Sequence, residues 1–441
     1  MKKGKFIGII IVLLAGSAFA GAKEVREWNM AAIDMIKRDN ISNHFGNRTA
    51  AILHIAMFDA VNGIEKQYNP YLVSLPASGD LPTQAAVAAA AFEVLSRLYP
   101  LLQEEFEPLY AAQLARVADG PNKQAAMLYG QEVADRVLQW RENDGSAQAG
   151  GVPYPDGTEP GQWRRTDANP PVLPGWGQVR PFAMTAGDQF RLTGPPDMTE
   201  YVYARDYSEV MEIGRKVSSS RTAEQTTIAR FWPMGIPRMW NLVAHQAAEA
   251  LDCSLLEEAR LFALVNVALA DAQVVGWDMK YHYGFWRPIT AIRLADQDGN
   301  DATTADPAWE SLLPAPAFPE YTSGHSTSCS AAATVLAKFA GTNSFTFTLN
   351  SEANPGLPTR TYTGFWQAAA EAGISRIYGG IHFNFSNTDG LEAGRSLGRY
   401  IYENFMAVNT DPCIDRPVSD LNDDCAVDMQ DFLVMASEWL I

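Results

Sequence analysis

The sequence predicts an all-α protein of two packed helical bundles, with a small C-terminal calcium-loop and helix module behind them. Three observations predict it. Apolar residues recur at helical spacing through most of the 441 residues, period-two alternation is scarce, and Pro- and Gly-rich connections punctuate the helical stretches. The length suffices for one large domain or two ordinary ones around a sizeable core.

The first helical stretches are Trp28 to Ile36 and Thr49 to Ile64, the latter patterned by Ile52, Ile55, Ala56, Ala60 and Val61. Pro82 to Arg97 is Ala-rich and closes at Tyr99-Pro100; Phe106 to Ala118 and Lys123 to Glu142 follow in the same style. From Gly145 to Pro196 the pattern fails among many Gly, Pro and Trp residues. An irregular segment of that length inside a domain is expected to pack over the core or near a site. Helical patterning resumes at Tyr201 to Lys216, Thr222 to Phe231 and Met239 to Cys253. Ser254 to Tyr281 reads as a long buried helix, because Ala, Leu and Val fall on nearly every side. Ser323 to Phe339, Phe365 to Tyr378 and Asn387 to Phe405 supply the last helices, and Ser344 to Leu349 is the best short strand. The domain therefore runs over residues 23–408, without a clear repeat linking its halves.

The two ends read differently. Lys2, Lys3 and Lys5 precede the short apolar run Phe6 to Ala15, and Ala18-Phe19-Ala20 offers a small-x-small cleavage site, with Ala20-Gly21-Ala22 as a second. Residues 1–20 are thus expected to be a signal peptide, and the protein to be exported to the periplasm or beyond, with possible cell-surface attachment through its tail. No later segment is expected to span a membrane. Four cysteines are few for an exported chain, so the core rather than disulfides must hold the domain. Cys253 and Cys329 lie in apolar stretches and read as buried free thiols. With 34 Lys plus Arg against 51 Asp plus Glu, the net charge of −17 argues against a nucleic-acid partner. Any local cluster of cations then stands out against the background.

Three stretches carry such a cluster. KYHYGFWRP places Arg287 seven residues after Lys280, with Gly284 and Pro288 expected to end the helix between them. FPEYTSGHS sets Ser323, Gly324 and His325 at the start of an Ala-rich helix, where free N–H groups and the dipole favour an anion. Gly324 lets the backbone approach a ligand. SRIYGGIHF carries Arg376 and, past the helix-breaking Gly379-Gly380, His382. Each piece alone has an ordinary reading: cations neutralise helix C-termini, His325 caps a helix, His382 sits in a core. Jointly they supply three cations, a hydroxyl, exposed N–H groups and two imidazoles, an inventory suited to a tetrahedral oxyanion.

In this order and spacing the three stretches resemble the signature K-x6-R-P, P-S-G-H, S-R-x5-H shared by vanadium-dependent haloperoxidases and the type 2 phosphatidic acid phosphatase superfamily. Thr322 stands where the signature has its leading Pro, a change of loop stiffness more than of chemistry. EWNMAAIDMI and NRTAAILHIAMFDAVNGI are similar to the haloperoxidase family's first bundle, so the resemblance covers most of the chain from Lys23 to Phe405. It implies a fold of the haloperoxidase type and vanadate as cofactor. His382 would coordinate vanadium, while Lys280, Arg287, Arg376, Ser323 and the Gly324 N–H would hold the equatorial oxygens. His325 would bond the apical oxygen and act in acid–base catalysis. The implied reaction oxidises halide with hydrogen peroxide to a hypohalous species that halogenates a small organic acceptor.

Trp277 and Phe318 stand where chloroperoxidase-like members also carry Trp and Phe, and would shape an apolar halide pocket; plain core packing is the other reading. Asp206, in RDYSEV, is a candidate for orienting one of the arginines. His44, His54, His245 and His282 lack ligand spacing and read as structural, although His282 is near Lys280 in sequence. The same cage would also hold phosphate. In that alternative, an acid phosphatase, His382 is the nucleophile and His325 protonates the leaving group.

After Asn409 the character changes. DLNDDCAVDMQD places Asp420, Asn422, Asp424, Asp428 and Asp431 at calcium-loop positions one, three, five, nine and twelve, with Ala426 offering a carbonyl at seven. An amphipathic helix is expected from Phe432 to Leu440. Residues 411–441 thus resemble a dockerin half-repeat, which implies bound calcium and a cohesin-like protein partner. Cys425 replaces the usual glycine at position six, and a Cys413–Cys425 disulfide is a candidate compensation.

Overall fold

In the computed structural model, the described residues are 23–77 and 79–410, together with 429, 430, 432 and 435. The predicted signal segment, the calcium-loop positions Asp420, Asn422, Asp424, Ala426, Asp428 and Asp431, and both Cys413 and Cys425 lie outside them. Of the expected terminal helix, Phe432 and Met435 are described, and both are helical and exposed.

Helical periodicity in the first third becomes α1 (Glu24–Arg38), α2 (Asn43–Glu65), α3 (Thr83–Leu98), α4 (Gln103–Leu114) and α5 (Pro121–Arg141). The second set is α6 (Tyr201–Ile213), α7 (Ala223–Phe231), α8 (Ile236–Ala250), α9 (Leu255–Tyr283), α10 (Pro288–Arg293), α11 (Gly324–Phe339), α12 (Phe365–Tyr378) and α13 (Asn384–Asn404). Packing follows two bundles that share α9: α2 lies on α3, α5 and α9 in the first, and α11 lies on α9, α12 and α13 in the second. The fold is therefore mostly helical, as expected.

α9 is apolar on every side because it is buried on every side. By length and composition it could cross a membrane, yet its apolar window is wholly inside the molecule. A capping box starts it: Ser254 Oγ accepts from the Glu257 N–H at 3.3 Å, and Glu257 Oε2 accepts from the Ser254 N–H at 2.8 Å. Gly284 ends it in the left-handed region, at φ 57°.

The irregular stretch between α5 and α6 is stitched onto α9, as its length required. Asp271 accepts from the backbone N–H groups of Phe182, Ala183 and Met184, at 2.7 to 3.2 Å. Arg191 makes a two-pronged ion pair with Asp278, both contacts at 2.7 Å. The Val172 carbonyl accepts from Trp277 Nε1 and from the Tyr281 hydroxyl.

α11 and α13 meet backbone to backbone. A Cβ on Gly394 would fall 2.1 Å from the Thr327 carbonyl oxygen, one on Gly398 2.6 Å from that of Ala331, and one on Gly390 2.8 Å from that of Ser323. Three glycines at four-residue spacing thus form a groove that receives α11 and fixes the height of its N-terminus.

Two elements differ from the sequence expectation. β1 (Ser344–Leu349) pairs antiparallel with β2 (Arg360–Gly364), a strand too short for alternation to reveal. α10 has only six residues, fewer than two turns, so periodicity could not mark it. Cys253 and Cys329 are free and buried, as predicted.

Candidate active site

Every cage residue predicted from sequence arrives at one place, and each is brought there by the end of a helix. Lys280 sits in the last turn of α9, Arg287 is the residue before Pro288 at the start of α10, and Ser323 is the N-cap of α11. Arg376 lies in the last turn of α12, and Gly379 with Gly380 (φ 75°) turns the chain so that His382 meets the same point ahead of α13. Lys280, Arg287, Ser323, Arg376 and His382 are buried. Gly324 opens α11 where an added Cβ would lie 3.6 Å from the Trp277 ring and 3.9 Å from Lys280 Cε, so a larger side chain would fill the space between them.

The cations also organise the loop before Ser323. Lys280 Nζ donates to the carbonyls of Pro319 (3.3 Å), Glu320 (3.0 Å) and Thr322. Arg287 donates from Nε to Phe318, from Nη2 to Pro319 and from Nη1 to Ile381, at 2.8 to 3.2 Å. Its Nη1 also lies 3.1 Å from Nε2 of His382. Ser323 Oγ accepts from the Ser326 N–H and hydroxyl, the latter at 2.8 Å. Arg376 Nη1 reaches the Trp232 carbonyl at 3.4 Å, while its Nε is buried with no partner among the described residues.

The two histidines are held by opposite nitrogens. Nε2 of His325 faces the Trp232 carbonyl at 2.8 Å; a carbonyl only accepts, so Nε2 carries the proton and Nδ1 the lone pair. Nδ1 of His382 faces Glu320 Oε1 at 2.7 Å and its Nε2 faces a guanidinium, which only donates. Its proton is therefore on Nδ1 and its lone pair on Nε2.

Charge in the site is strongly perturbed. Burial, and then the Arg287 charge, hold the Lys280 ammonium well below the usual lysine range, with Glu320 acting the other way. Burial brings Arg287 down to about 10, opposed by Glu320, and burial with Arg287 brings Arg376 down to about 9. Burial pushes Glu320 up to about 7 against the pull of Arg287 and Lys280. Both histidines fall well below the imidazole range. Burial is the first cause in each; the Arg376 charge follows for His325, and Arg287, Lys280 and Arg376 follow for His382. At neutral pH the site thus holds neutral imidazoles and more positive than negative charge, an environment made for an anion.

Trp277 and Phe318 face the site together. Their rings are 4.9 Å apart between centroids, and Lys280 Nζ lies 5.2 Å from the Phe318 centroid. Phe318 also forms part of a surface groove of about 610 Å³ with Pro170, Val172, Leu173, Pro314 and Pro316. The other expectations fared unevenly. Asp206 is buried but orients none of the site arginines: it accepts from the Phe385 N–H at 2.6 Å and pairs with its neighbour Arg205. His282 points outward beside Tyr283 rather than into the site, because it lies on the exposed side of α9's last turn. His44, read as structural, packs 3.9 Å from Trp277.

Sequence reasoning missed Glu320, Trp232 and Glu371. Glu320 gave a usable signal, an acidic residue between Pro319 and Tyr321 in a stretch that had to be buried. Trp232 acts through its backbone, which no residue identity announces. Glu371 accepts from Trp232 Nε1 at 2.9 Å and from the Tyr362 hydroxyl at 2.6 Å. Among the described residues, no three His, Cys, Asp or Glu side chains gather as a metal-ion site.

Comparison with known proteins relates the chain to vanadium haloperoxidases. Residues 260–410, which contain every residue of the cage, match the family model described as the VCPO second helical-bundle domain. Vanadium chloroperoxidase of Curvularia inaequalis is 24% identical over 77% of this chain and 74% of its own length. Among solved structures, a bacterial vanadium-dependent iodoperoxidase superimposes with a TM-score of 0.74 at 28% identity, over 87% of this chain and 97% of that one. A bacterial vanadium-dependent chloroperoxidase shares the fold, with a TM-score of 0.67 at 17% identity over 82% of this chain and 91% of that one.

Proposed function

We propose that the protein is a vanadium-dependent haloperoxidase that acts after export. The observation that carries this reading is the pair of oppositely protonated histidines among three buried cations. His382 offers an Nε2 lone pair for a metal, and His325 offers an Nδ1 lone pair for a proton. The donor set fits vanadate. The buried Arg376 Nε has no partner among the described residues, positive charge exceeds negative, and Gly324 leaves its helix N-terminus open to an oxyanion.

When bound, vanadate would supply a Lewis acid that activates hydrogen peroxide without changing its own oxidation state. Lys280, Arg287, Arg376, Ser323 and the Gly324 N–H would hold its oxygens, and His382 Nε2 would bind the metal. His325, with its Nε2–H on the Trp232 carbonyl, would offer the Nδ1 lone pair to take a proton from hydrogen peroxide and return it during turnover. The net reaction is H2O2 + X⁻ + H⁺ → HOX + H2O, in which halide loses two electrons and peroxide gains them. Trp277 and Phe318 would give the halide an apolar wall, and a small organic acceptor would then be halogenated. Residues 411–441 would bind calcium and dock a cohesin-like partner outside the cytoplasm.

Reconstitution with orthovanadate followed by bromide- and iodide-dependent peroxide turnover tests the reading, with His382→Ala as the control that should lose metal and turnover together. Hydrolysis of phosphate esters that vanadate abolishes, without peroxidase turnover, would sink it in favour of a phosphatase. The likeness to a vanadium chloroperoxidase and a vanadium-dependent iodoperoxidase supports the first outcome.

A further inference from the structure

We infer that Glu320 is a positioning residue for His382, fixing which ring nitrogen offers its lone pair to a metal oxyanion; the inference rests on the function proposed above. Glu320 is fully buried, three residues before the N-cap of α11, on the loop whose carbonyls Lys280 and Arg287 grip. Its carboxylate is therefore held from behind. Oε1 accepts from His382 Nδ1 at 2.7 Å and from the Phe383 N–H at 3.0 Å. One oxygen thus orients both the imidazole and the entry of α13.

Arg287 faces the other nitrogen and favours the same tautomer, because its Nη1 can only donate to His382 Nε2. Its 3.1 Å contact is longer than the 2.7 Å contact to the carboxylate, which holds the Nδ1 proton. Among the described residues, the other group recorded against Nδ1 is Ser386 Oγ, whose 3.4 Å is long for a hydroxyl bond. A carboxylate behind a metal-binding histidine fixes ring orientation and raises ligand basicity, and loss of such partners costs about ten- to a hundredfold in metal affinity. Glu320 lies outside the cage signature, so it would tune His382 without touching the reacting atoms.

The experiment compares wild type, Glu320→Gln and Glu320→Ala by ¹⁵N NMR of the histidine rings in the vanadate-free protein and by calorimetric titration with orthovanadate. Wild type should show His382 protonated on Nδ1. Glu320→Gln keeps an oxygen acceptor, so it should retain that signal and lose less than about tenfold in affinity. Glu320→Ala should show mixed tautomers and lose about ten- to a hundredfold. A wild-type proton on Nε2, or wild-type affinity in Glu320→Ala, overturns the inference. If Glu320→Ala fails to fold, Glu320→Gln decides: loss of its Nδ1–H signal would also overturn it. A wild type that binds no vanadate removes the functional reading but leaves the tautomer measurable, so the two failures are distinct.

Discussion

The carbonyl oxygen of Trp232 accepts from His325 Nε2 at 2.8 Å, while the indole of the same residue donates to Glu371 at 2.9 Å. The proton of His325 is therefore positioned by a backbone group that a distant carboxylate holds still. Glu371 also accepts from the Tyr362 hydroxyl and pairs with Arg360 at 2.7 Å, which ties the β-hairpin into the support. Glu371→Ala should lower kcat by roughly tenfold with little change in the halide KM, because it loosens the acid–base group rather than halide binding. Glu371→Gln should recover part of the loss. Steady-state kinetics beside a melting curve checks this, and equal loss in both variants would count against it.

Anion binding should stabilise the fold measurably. Lys280, Arg287 and Arg376 are buried, and the Arg287 charge bears on both of the others, so a bound oxyanion relieves their repulsion. At a hundred times its Kd, orthovanadate should add about 2.7 kcal/mol to the unfolding free energy. Arg376→Gln removes a charged donor group and should weaken orthovanadate by roughly ten- to a hundredfold. Thermal melts across a vanadate series read both effects.

The glycine groove of α13 predicts a distant route to inactivation. Gly394→Ala would drive a methyl into the Thr327 carbonyl and lift α11, with a cost of about 1–3 kcal/mol. Ser323 and His325 should move with the helix, so vanadate affinity should fall as well. Gly356→Ala, where an added Cβ meets nothing within 4 Å, is the matched control and should change neither.

His54 sets a pH dependence of stability. Its Nε2 bonds Asn29 Oδ1 at 2.9 Å, and burial pushes its pKa down from 6.5 to about 3. The unfolded chain therefore binds a proton that the folded chain refuses between these values. The contribution is complete above pH 6.5 and is lost as pH falls toward 3, at about 1.4 kcal/mol per pH unit at most. Denaturant unfolding at pH 7 and pH 5 should show His54→Gln losing less stability than wild type over that interval. An identical slope in both proteins would refute the assignment.

Legibility followed the physics of each feature. Long helices with one or two apolar faces announced themselves, and the Ala, Leu and Val content of Ser254 to Tyr281 marked α9 as buried. The cage was legible because Lys280, Arg287, Ser323, His325, Arg376 and His382 are chemically rare in that order, and because helix ends bring them together. Glu320 escaped because its role depends on a contact 62 residues away, with His382. Trp232 escaped because its contribution is a carbonyl, which every residue has. Asp206 was read for charge, whereas burial made it an acceptor for the backbone of α13.

The buried cations form a positive island in a molecule of net charge −17. A halide ion approaching from bulk water would meet repulsion before attraction, whereas peroxide, being neutral, would cross the same distance indifferently. Electrolyte shortens the reach of that outer field to about 8 Å at 0.15 M, without screening the buried charges comparably. Inert salt should therefore raise kcat/KM for halide from its low-salt value and leave that for peroxide nearly flat. Brine would favour such a catalyst, since salinity weakens the barrier around it more than the attraction within.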